Sequence, residues 1–515
     1  MLQQLFRTKS LEQLKASTEQ PRHQLRKNLG PFDLTLFGIS AIIGAGVFST
    51  IGAAAGGSGA GPALVISILI LTFICAFTAL AYAELASMIP VSGSAYTYAF
   101  ATLGELMAWI IGWDLLLEYA VSNVAISISW SDYTRSFLEN VLHMHLPGWL
   151  ACNPQTALLL KEGAAPMALG AKLQLLAQAR QGLVDGGSLF AYWDVLKEAP
   201  LIAGFPLSIN LLAVAITSVI TWLVYVGIKE SARVNAVMVV IKVAILLAIV
   251  ALGFRFVDRG NWVPFAPNGL KGIQAGAAIF FFAFIGFDAV STTAEETRHP
   301  GRDVPKGILY SLGICAVIYA AVALVVTGML KYSEIGKHAD PLSYIFTLHG
   351  MPGLSAVVSF GAIIATTAAL LVYQIGQPRI FLSMSRDGLL GPWFGRVNEK
   401  HGTPANATLA TGCIVAIPAA LLNIGEVVEL ANIGTLFAFV VVCAGVLILR
   451  RRRPEASRRF RMPLVWVTAP LGIASCLWLA WGLPGVTWVR FGWFMAVGLG
   501  IYFAYGRRNS VLQGD

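Results

Sequence analysis

Charge is what this sequence has least of. Asp, Glu, Lys and Arg make up 12% of its 515 residues, about half the share of an ordinary soluble domain. The apolar fraction is 57% and the mean hydropathy +0.71. So few charges cannot coat a water-exposed surface, which argues against a soluble protein and for a polytopic membrane protein. Histidine is scarce too: 7 residues, none inside an apolar block. A proton relay through imidazole and a histidine-based metal site are therefore not expected. Of the six cysteines, Cys75, Cys315, Cys413, Cys443 and Cys476 lie in apolar blocks and Cys152 in a loop, without disulfide or metal-ligand spacing. No nucleophile elbow is found, and Gly44-x-Gly46 lacks the third glycine and the βαβ setting of a dinucleotide site. No enzyme, catalytic residue, bound metal or organic cofactor is expected, and nothing in the sequence names a protein partner.

What is there is a series of apolar blocks, each long enough for a helix to cross a bilayer. Twelve spans are expected near 34–56, 62–87, 104–134, 206–228, 232–254, 273–296, 306–330, 353–378, 405–424, 428–449, 463–481 and 489–506. They form one all-α domain over 34–506, between a polar, basic segment 1–33 that does not read as a secretory signal and a short tail 507–515. The net charge of +9 comes from short clusters between spans, the pattern of positive-inside loops and not of a nucleic-acid surface. Placing the N-terminus in the cytoplasm puts 24 of the 36 Lys and Arg residues on the inner side. Both termini are then cytoplasmic. The connection 135–205 falls outside and is read as a loop with short helices, either a lid or a tolerated excursion. The tract RRRRPEASRRF, 450–460, is read as a topogenic anchor or a site for anionic lipid.

Two spans are interrupted. The first carries Gly44 and Gly46 within ISAIIGAGVF, and the sixth carries Gly286 and Asp288 within FFFAFIGFDAV. Backbone that leaves the helix inside lipid must find new partners or line a cavity. Five helices followed by five inverted ones, with the first of each set broken, is an arrangement in which transporters build a midplane site. Amides after the first break, at Ile43, Gly44, Ala45 and Gly46, suit a carboxylate. Carbonyls around Phe282, Ala283 and Ile285 suit an ammonium. Together they describe an α-amino acid held by its backbone, with selection left to the pocket walls.

Ionisable residues at membrane depth are costly and mark function. The sequence offers Glu84, Asp114, Glu118, Lys242 and Asp288. Lys242, within VMVVIKVAILL, is the one cation in a span, and burial disfavours its charged form. It is read as a proton-coupling residue or as a structural lysine satisfied by carbonyls or a carboxylate. Asp114 and Glu118 share one face of the third span and either read a cationic side chain or brace the helix. Asp288 either orders the sixth-span break by accepting backbone amides or touches substrate. Thr366 and Thr367 either line the side-chain end of the pocket or pack, and Phe282 either gates the site or packs.

KNLGPFDLTLFGISAIIGAGVF, then ALAYAELASMIPVSGSAYTYAFATLGELMAWIIGWDLLLEY, FFFAFIGFDAVSTTAEETRHPGRDVPKGI and QPRIFLSMSRDGLLGPWF resemble, in order and over nearly the whole chain, the bacterial cationic amino acid transporters. These are a branch of the amino acid–polyamine–organocation superfamily. The resemblance implies the LeuT-type fold with twelve spans, a bacterial plasma membrane and proton-coupled uptake of L-amino acids, the proton being the coupling ion. By position, 43–46 match the family's unwound first helix and Phe282, Ala283 and Ile285 its unwound sixth. Lys242 matches the fifth-span lysine that stands in a sodium-like position. An exchanger without proton coupling shares this fold and stays open as an alternative, as does the preference for cationic or small neutral side chains.

Overall fold

The computed structural model describes residues 7–9, 29–89, 91, 93–161, 167, 169–202, 205–226, 231–338, 340–398 and 403–513. Among these, nine helices are long and apolar enough to cross a membrane, and three shorter apolar helices stand beside them. In chain order they are α1 Pro31–Ala55, α2 Gly61–Met88, α3 Glu105–Asn140, α4 Leu211–Val226, α5 Ser231–Gly253, α6 Gly269–Ala294, α7 Pro300–Met329, α8 Pro352–Arg386, α9 Ala405–Leu421, α10 Ile424–Arg452, α11 Val465–Trp481 and α12 Gly485–Asn509. Helices are what lipid allows, because each satisfies its own backbone. The burial pattern is the reverse of a soluble protein's. Phe73, Trp222 and Trp481 point outward, while Ser40, Asp114, Glu118 and Lys242 are buried.

The packing follows a rule of five. α2 lies along α7, α3 along α8 and α4 along α9. A short helix, Ser94–Thr102, joins α2 to α3, and another, Pro341–Leu348, joins α7 to α8. Arg7 donates to the Leu512 carbonyl at 2.7 Å and Lys9 pairs with Asp387, so both ends of the chain meet on one face.

Two expectations are corrected. The third span does not stop at 134: α3 runs on to Asn140, carried into the polar zone by the Arg135–Glu139 pair at i,i+4, 2.8 Å. The polar residues that end a hydropathy window do not end the helix. The fourth span begins at Leu211, not 206, because Phe205–Pro206 pairs with Leu201–Ile202 in a two-residue antiparallel ladder. The connection between α3 and α4 carries short helices, as expected. Its short helices Pro154–Ala157, Leu169–Arg180 and Trp193–Glu198 close over an apolar cluster of Cys152, Leu158, Leu176, Phe190 and Leu196. It is tied to the α9–α10 turn by Asn423, whose amide donates to Gln155 Oε1 at 2.9 Å and whose side chain donates to Thr156 Oγ1 at 2.8 Å. Burial pushes the Cys152 thiol up to about 12, so it stays protonated at neutral pH.

The arginine tract also turns inward. Arg450 bonds both oxygens of Glu84 at 2.7 Å, Arg458 Nε adds a third contact at 3.1 Å, and the Met462 amide a fourth at 2.7 Å. Glu84 and Arg458 side chains are 1% and 2% exposed. The cluster clamps the end of α2 to the α10–α11 turn. Removing one partner of a buried pair strands the other, at about 3–5 kcal/mol. Glu84→Gln is therefore expected to lower the melting temperature of the detergent-solubilised protein by several degrees, read by intrinsic fluorescence. An unchanged melting temperature would show that the clamp is not structural.

Candidate functional site

α1 stops being a regular helix at Ile42. Ile43 caps it with φ −79° and ψ 78°, and the chain resumes as a wide π-turn over Gly46–Thr50. α6 is interrupted in the same manner: regular to Phe280, a 3-10 turn over Phe281–Phe284, extended at Ile285, and restarted as a 3-10 helix over Phe287–Glu296 after Gly286. Only Gly286 needs the freedom of glycine, at φ +120°; Gly44 and Gly46 keep negative φ. Their small size serves contact instead. A Cβ on Gly46 would sit 2.3 Å from the Ala283 Cα, one on Gly44 2.8 Å from the Ala369 side chain, and one on Gly286 2.9 Å from the Ala41 carbonyl carbon. The two breaks therefore cross backbone on backbone, Gly46 seated on Ala283 of α6 and Gly286 on Ala41 of α1, while Gly44 packs on Ala369 of α8.

The carbonyls released at the first break are claimed by side chains from far along the chain. Lys242 of α5, fully buried, donates to Ser40 O at 2.9 Å and Ile43 O at 2.7 Å, with Ser40 Oγ at 3.5 Å. Ser40 Oγ donates in turn to Asn235 of α5 at 2.6 Å, and Tyr319 of α7 donates to Ile42 O at 2.8 Å. No carboxylate among the described residues pairs with Lys242. Its charge rests on carbonyl dipoles at the C-terminal, negative end of the first half-helix. Beyond the break, Tyr133 of α3 donates to Phe48 O at 2.8 Å, and Ser49 meets Ser129 at 2.5 Å. The first amides of the restarted helix, from Gly46, have no partner within their own helix.

The other sequence candidates separate. Phe282 and Ala283 are at the crossing and Ile285 marks the end of the 3-10 turn. Asp288 lies beside the amides of Gly286 and Ala289 but completes no hydrogen bond to them. It neighbours Glu118, which sits one turn beyond Asp114 on α3. Asp114 faces α10, where a Cβ on Gly434 would lie 2.9 Å from its Oδ1. Asp288, Glu118 and the hydroxyls of Tyr82, Tyr98 and Tyr119 are buried, each with at least one polar atom that has no partner among the described residues. Such groups are expensive, and their clustering at membrane depth marks a working part. Thr366 and Thr367 bond their own helix, at Ala362 O and Ile363 O, and Thr367 also accepts from Trp130 at 2.9 Å. The sequence reading missed Ser40, Asn235, Tyr133 and Tyr319. Each is an ordinary hydroxyl or amide in an apolar run, and only its distant hydrogen-bond partner makes it part of the site. No group of three or more His, Cys, Asp or Glu among the described residues is placed to hold a metal ion.

Toward the face that carries Arg7 and Leu512, the end of α6 is tied to α8 and to the chain before α1. Arg379 of α8 pairs with Glu296 at the end of α6 at 2.6 Å, Leu29 donates to Glu296 O at 3.0 Å, and a cavity of about 70 Å³ lined by Asp33, Asn235 and Thr293 lies behind them.

The family model described as amino acid permease matches residues 29–502. The chain is 41% identical over 510 residues to the branched-chain amino acid permease BcaP of Bacillus subtilis, covering 99% of each chain. It is 39% identical over 509 residues to the methylthioribose transporter of the same organism, again covering 99% of each. It is 33% identical to the vacuolar cationic amino acid transporter 4 of Arabidopsis thaliana, over 88% of this chain and 68% of that one. Two broken, crossed helices in a polytopic bundle, a match over nearly the full length and relatives that are membrane transporters and not enzymes lead to one assignment: the chain belongs to the amino acid permease family of the amino acid–polyamine–organocation superfamily.

Proposed function

We propose that the chain is a secondary active L-amino acid transporter working by proton-coupled symport, with its substrate at the crossing of α1 and α6. The observation that carries this is the reciprocal contact of the two breaks, Gly46 on Ala283 and Gly286 on Ala41, beside a buried lysine bonded to the first of them. Helix pairs five apart, and the matching short helices after α2 and α7, support a LeuT-type layout of twelve spans in two inverted sets of five plus two. The excess of Lys and Arg on the face of Arg7 and Leu512 supports cytoplasmic termini in a bacterial plasma membrane. Amides of 43–46 take the substrate carboxylate, and carbonyls of Phe282, Ala283 and Ile285 take its ammonium.

In the cycle, protonated Lys242 holds α1 against α5, and neutral Lys242 releases that contact so that α1 and α6 move with their bundle. A proton drives transport only through this difference between states. Asp114 and Glu118, turned toward α10 and Asp288, serve the interior charge network and not side-chain selection. Phe282, Thr366 and Thr367 serve packing.

The zwitterion reading is tested by substrate-induced thermal stabilisation of the purified protein. Leucine, alanine or arginine is expected to stabilise, while leucine methyl ester and N-acetyl-leucine do not. Stabilisation by methylthioribose, which has neither a carboxylate nor an ammonium group, with none by any amino acid would overturn the reading. The tie between α6 and α8 gives a further expectation. An ion pair about a quarter exposed is worth about 1 kcal/mol, a factor of roughly five in an equilibrium. Arg379→Ala is expected to raise the maleimide reactivity of a cysteine placed at Thr293 by about that factor. An unchanged rate would show that the Arg379–Glu296 pair does not bar access.

A further inference from the structure

A groove of about 810 Å³ runs between α12 and the helices α3, α8, α9 and α10, away from the crossing of α1 and α6. Its wall is made of buried apolar side chains, Leu116, Leu117 and Ala120 of α3 and Val427 of α10. One end is lined by Ile501 of α12 with Leu390 and Phe394, and between the ends Trp113 is stacked on Phe494 of α12 with centroids 4.9 Å apart and donates to the Phe494 carbonyl at 3.0 Å. The other end is charged. Arg490 Nη2 and Glu426 Oε2 stand 3.2 Å apart at its mouth, 41% and 44% exposed, on the side of the membrane that carries the connection 141–210.

Dimensions and charge narrow the occupant. From Arg490 to Ile501, both lining the groove, α12 rises about 16 Å at 1.5 Å per residue. That is about half of a 30 Å hydrocarbon layer, the depth of one leaflet. A slot of that depth, apolar but for Gln377, whose side chain donates to the Leu116 carbonyl at 3.2 Å, and charged at its outer lip has the shape of a single lipid. The lip offers one cation and one anion side by side. An anionic head group would meet Glu426 as well as Arg490, and one without charged groups would satisfy neither. A head group with a phosphate and a primary ammonium satisfies both, the phosphate accepting from Arg490 and the ammonium donating to Glu426.

We propose that this groove binds one phosphatidylethanolamine molecule from the leaflet on the side of the connection, with an acyl chain against α3 and its head group across Arg490 and Glu426. The second acyl chain stays in the bilayer beside exposed Ile414 and Ile417. The lipid then fastens α12 to α3, α9 and α10, and its loss frees that edge without touching the crossing of α1 and α6.

The test is native mass spectrometry of the purified full chain, released from detergent after titration with phosphatidylethanolamine, phosphatidylglycerol or phosphatidylcholine of equal chain length. Phosphatidylethanolamine is expected to give one retained lipid, with the other two retained at least several-fold less. Ala120→Phe, which fills the slot, and Arg490→Glu, which leaves two anions at the lip, are each expected to reduce that retention to the level of phosphatidylcholine. The double variant Arg490→Glu with Glu426→Arg, which restores one charge of each sign, is expected to recover it. Amino acid-induced thermal stabilisation of these variants confirms that they are folded and keeps the outcome separate from the substrate-site reading. Equal retention of all three lipids, preferential retention of phosphatidylglycerol, or retention unaffected by Ala120→Phe would each overturn the proposal. So would a dimer cross-linked through cysteines at the groove mouth, since a second copy would then be its occupant.

Discussion

Lys242→Met protein is expected to exchange amino acid across a membrane yet fail to accumulate it when an inward proton gradient is imposed. Methionine keeps the length and apolar stem of lysine, so the space between α5 and α1 stays filled. What is lost is the ammonium that donates to Ser40 O and Ile43 O. Two carbonyls lose that donor, at about 1–3 kcal/mol for each buried polar group left unmade, which weakens the α1–α5 contact in every state of the cycle. Transport then becomes indifferent to pH. Counterflow in vesicles preloaded with unlabelled substrate shows that the variant is folded, and uptake into empty vesicles over a range of external pH shows whether coupling is gone. Wild-type accumulation with the wild-type pH profile would make Lys242 a structural cation.

The second large effect is expected at the crossing itself. Gly46→Val and Gly286→Val should each abolish transport, and the corresponding alanine variants should lose most of it. At position 46 a single methyl already overlaps the Ala283 backbone, with 2.3 Å between Cβ and Cα, so one broken helix must move off the other. At position 286 a side chain meets both Ala41, at 2.9 Å, and a backbone held at φ +120°, a conformation that costs an L-residue roughly 1–2 kcal/mol before any clash. Gly313 of α7 and Gly500 of α12 are the controls. Nothing lies within 4 Å of a Cβ built at either, and alanine there should leave transport unchanged. Equal tolerance at all four positions would remove the crossing as the feature that organises the site.

These contrasts show what the sequence can and cannot reveal. Apolar blocks are local and one-dimensional, so the bundle was legible, as were the two interruptions and the lone lysine between apolar neighbours. The reason for the glycines was not. Gly44 and Gly46 look like conformational breaks, yet both keep negative φ, and their smallness is explained only by Ala283 and Ala369, more than two hundred residues away. Tyr319 and Asn235 were invisible for the same reason: a tyrosine or asparagine in an apolar helix carries no mark of the carbonyl or hydroxyl it will meet. The arginines near 450–461 read as a plain inner-side signal, and a buried glutamate at the end of α2 turns two of them into a clamp. Polar residues past 134 resembled the start of a loop because hydropathy records solvent preference and not helix continuity. The apolar cluster of the connection was hidden among Gly, Ala and Pro pieces, too short and scattered to show a period.

Relatives bearing the names of branched-chain and cationic amino acid carriers and of a methylthioribose transporter each match most of this chain.

The central claim is that a proton gradient drives amino acid accumulation through this chain, and it is tested by uptake of radiolabelled leucine, alanine and arginine into empty proteoliposomes with and without an imposed inward proton gradient. The account predicts accumulation of at least one of them above the external concentration only when the gradient is present. Uptake that requires preloaded amino acid, whatever the gradient, would contradict it and make the protein an exchanger.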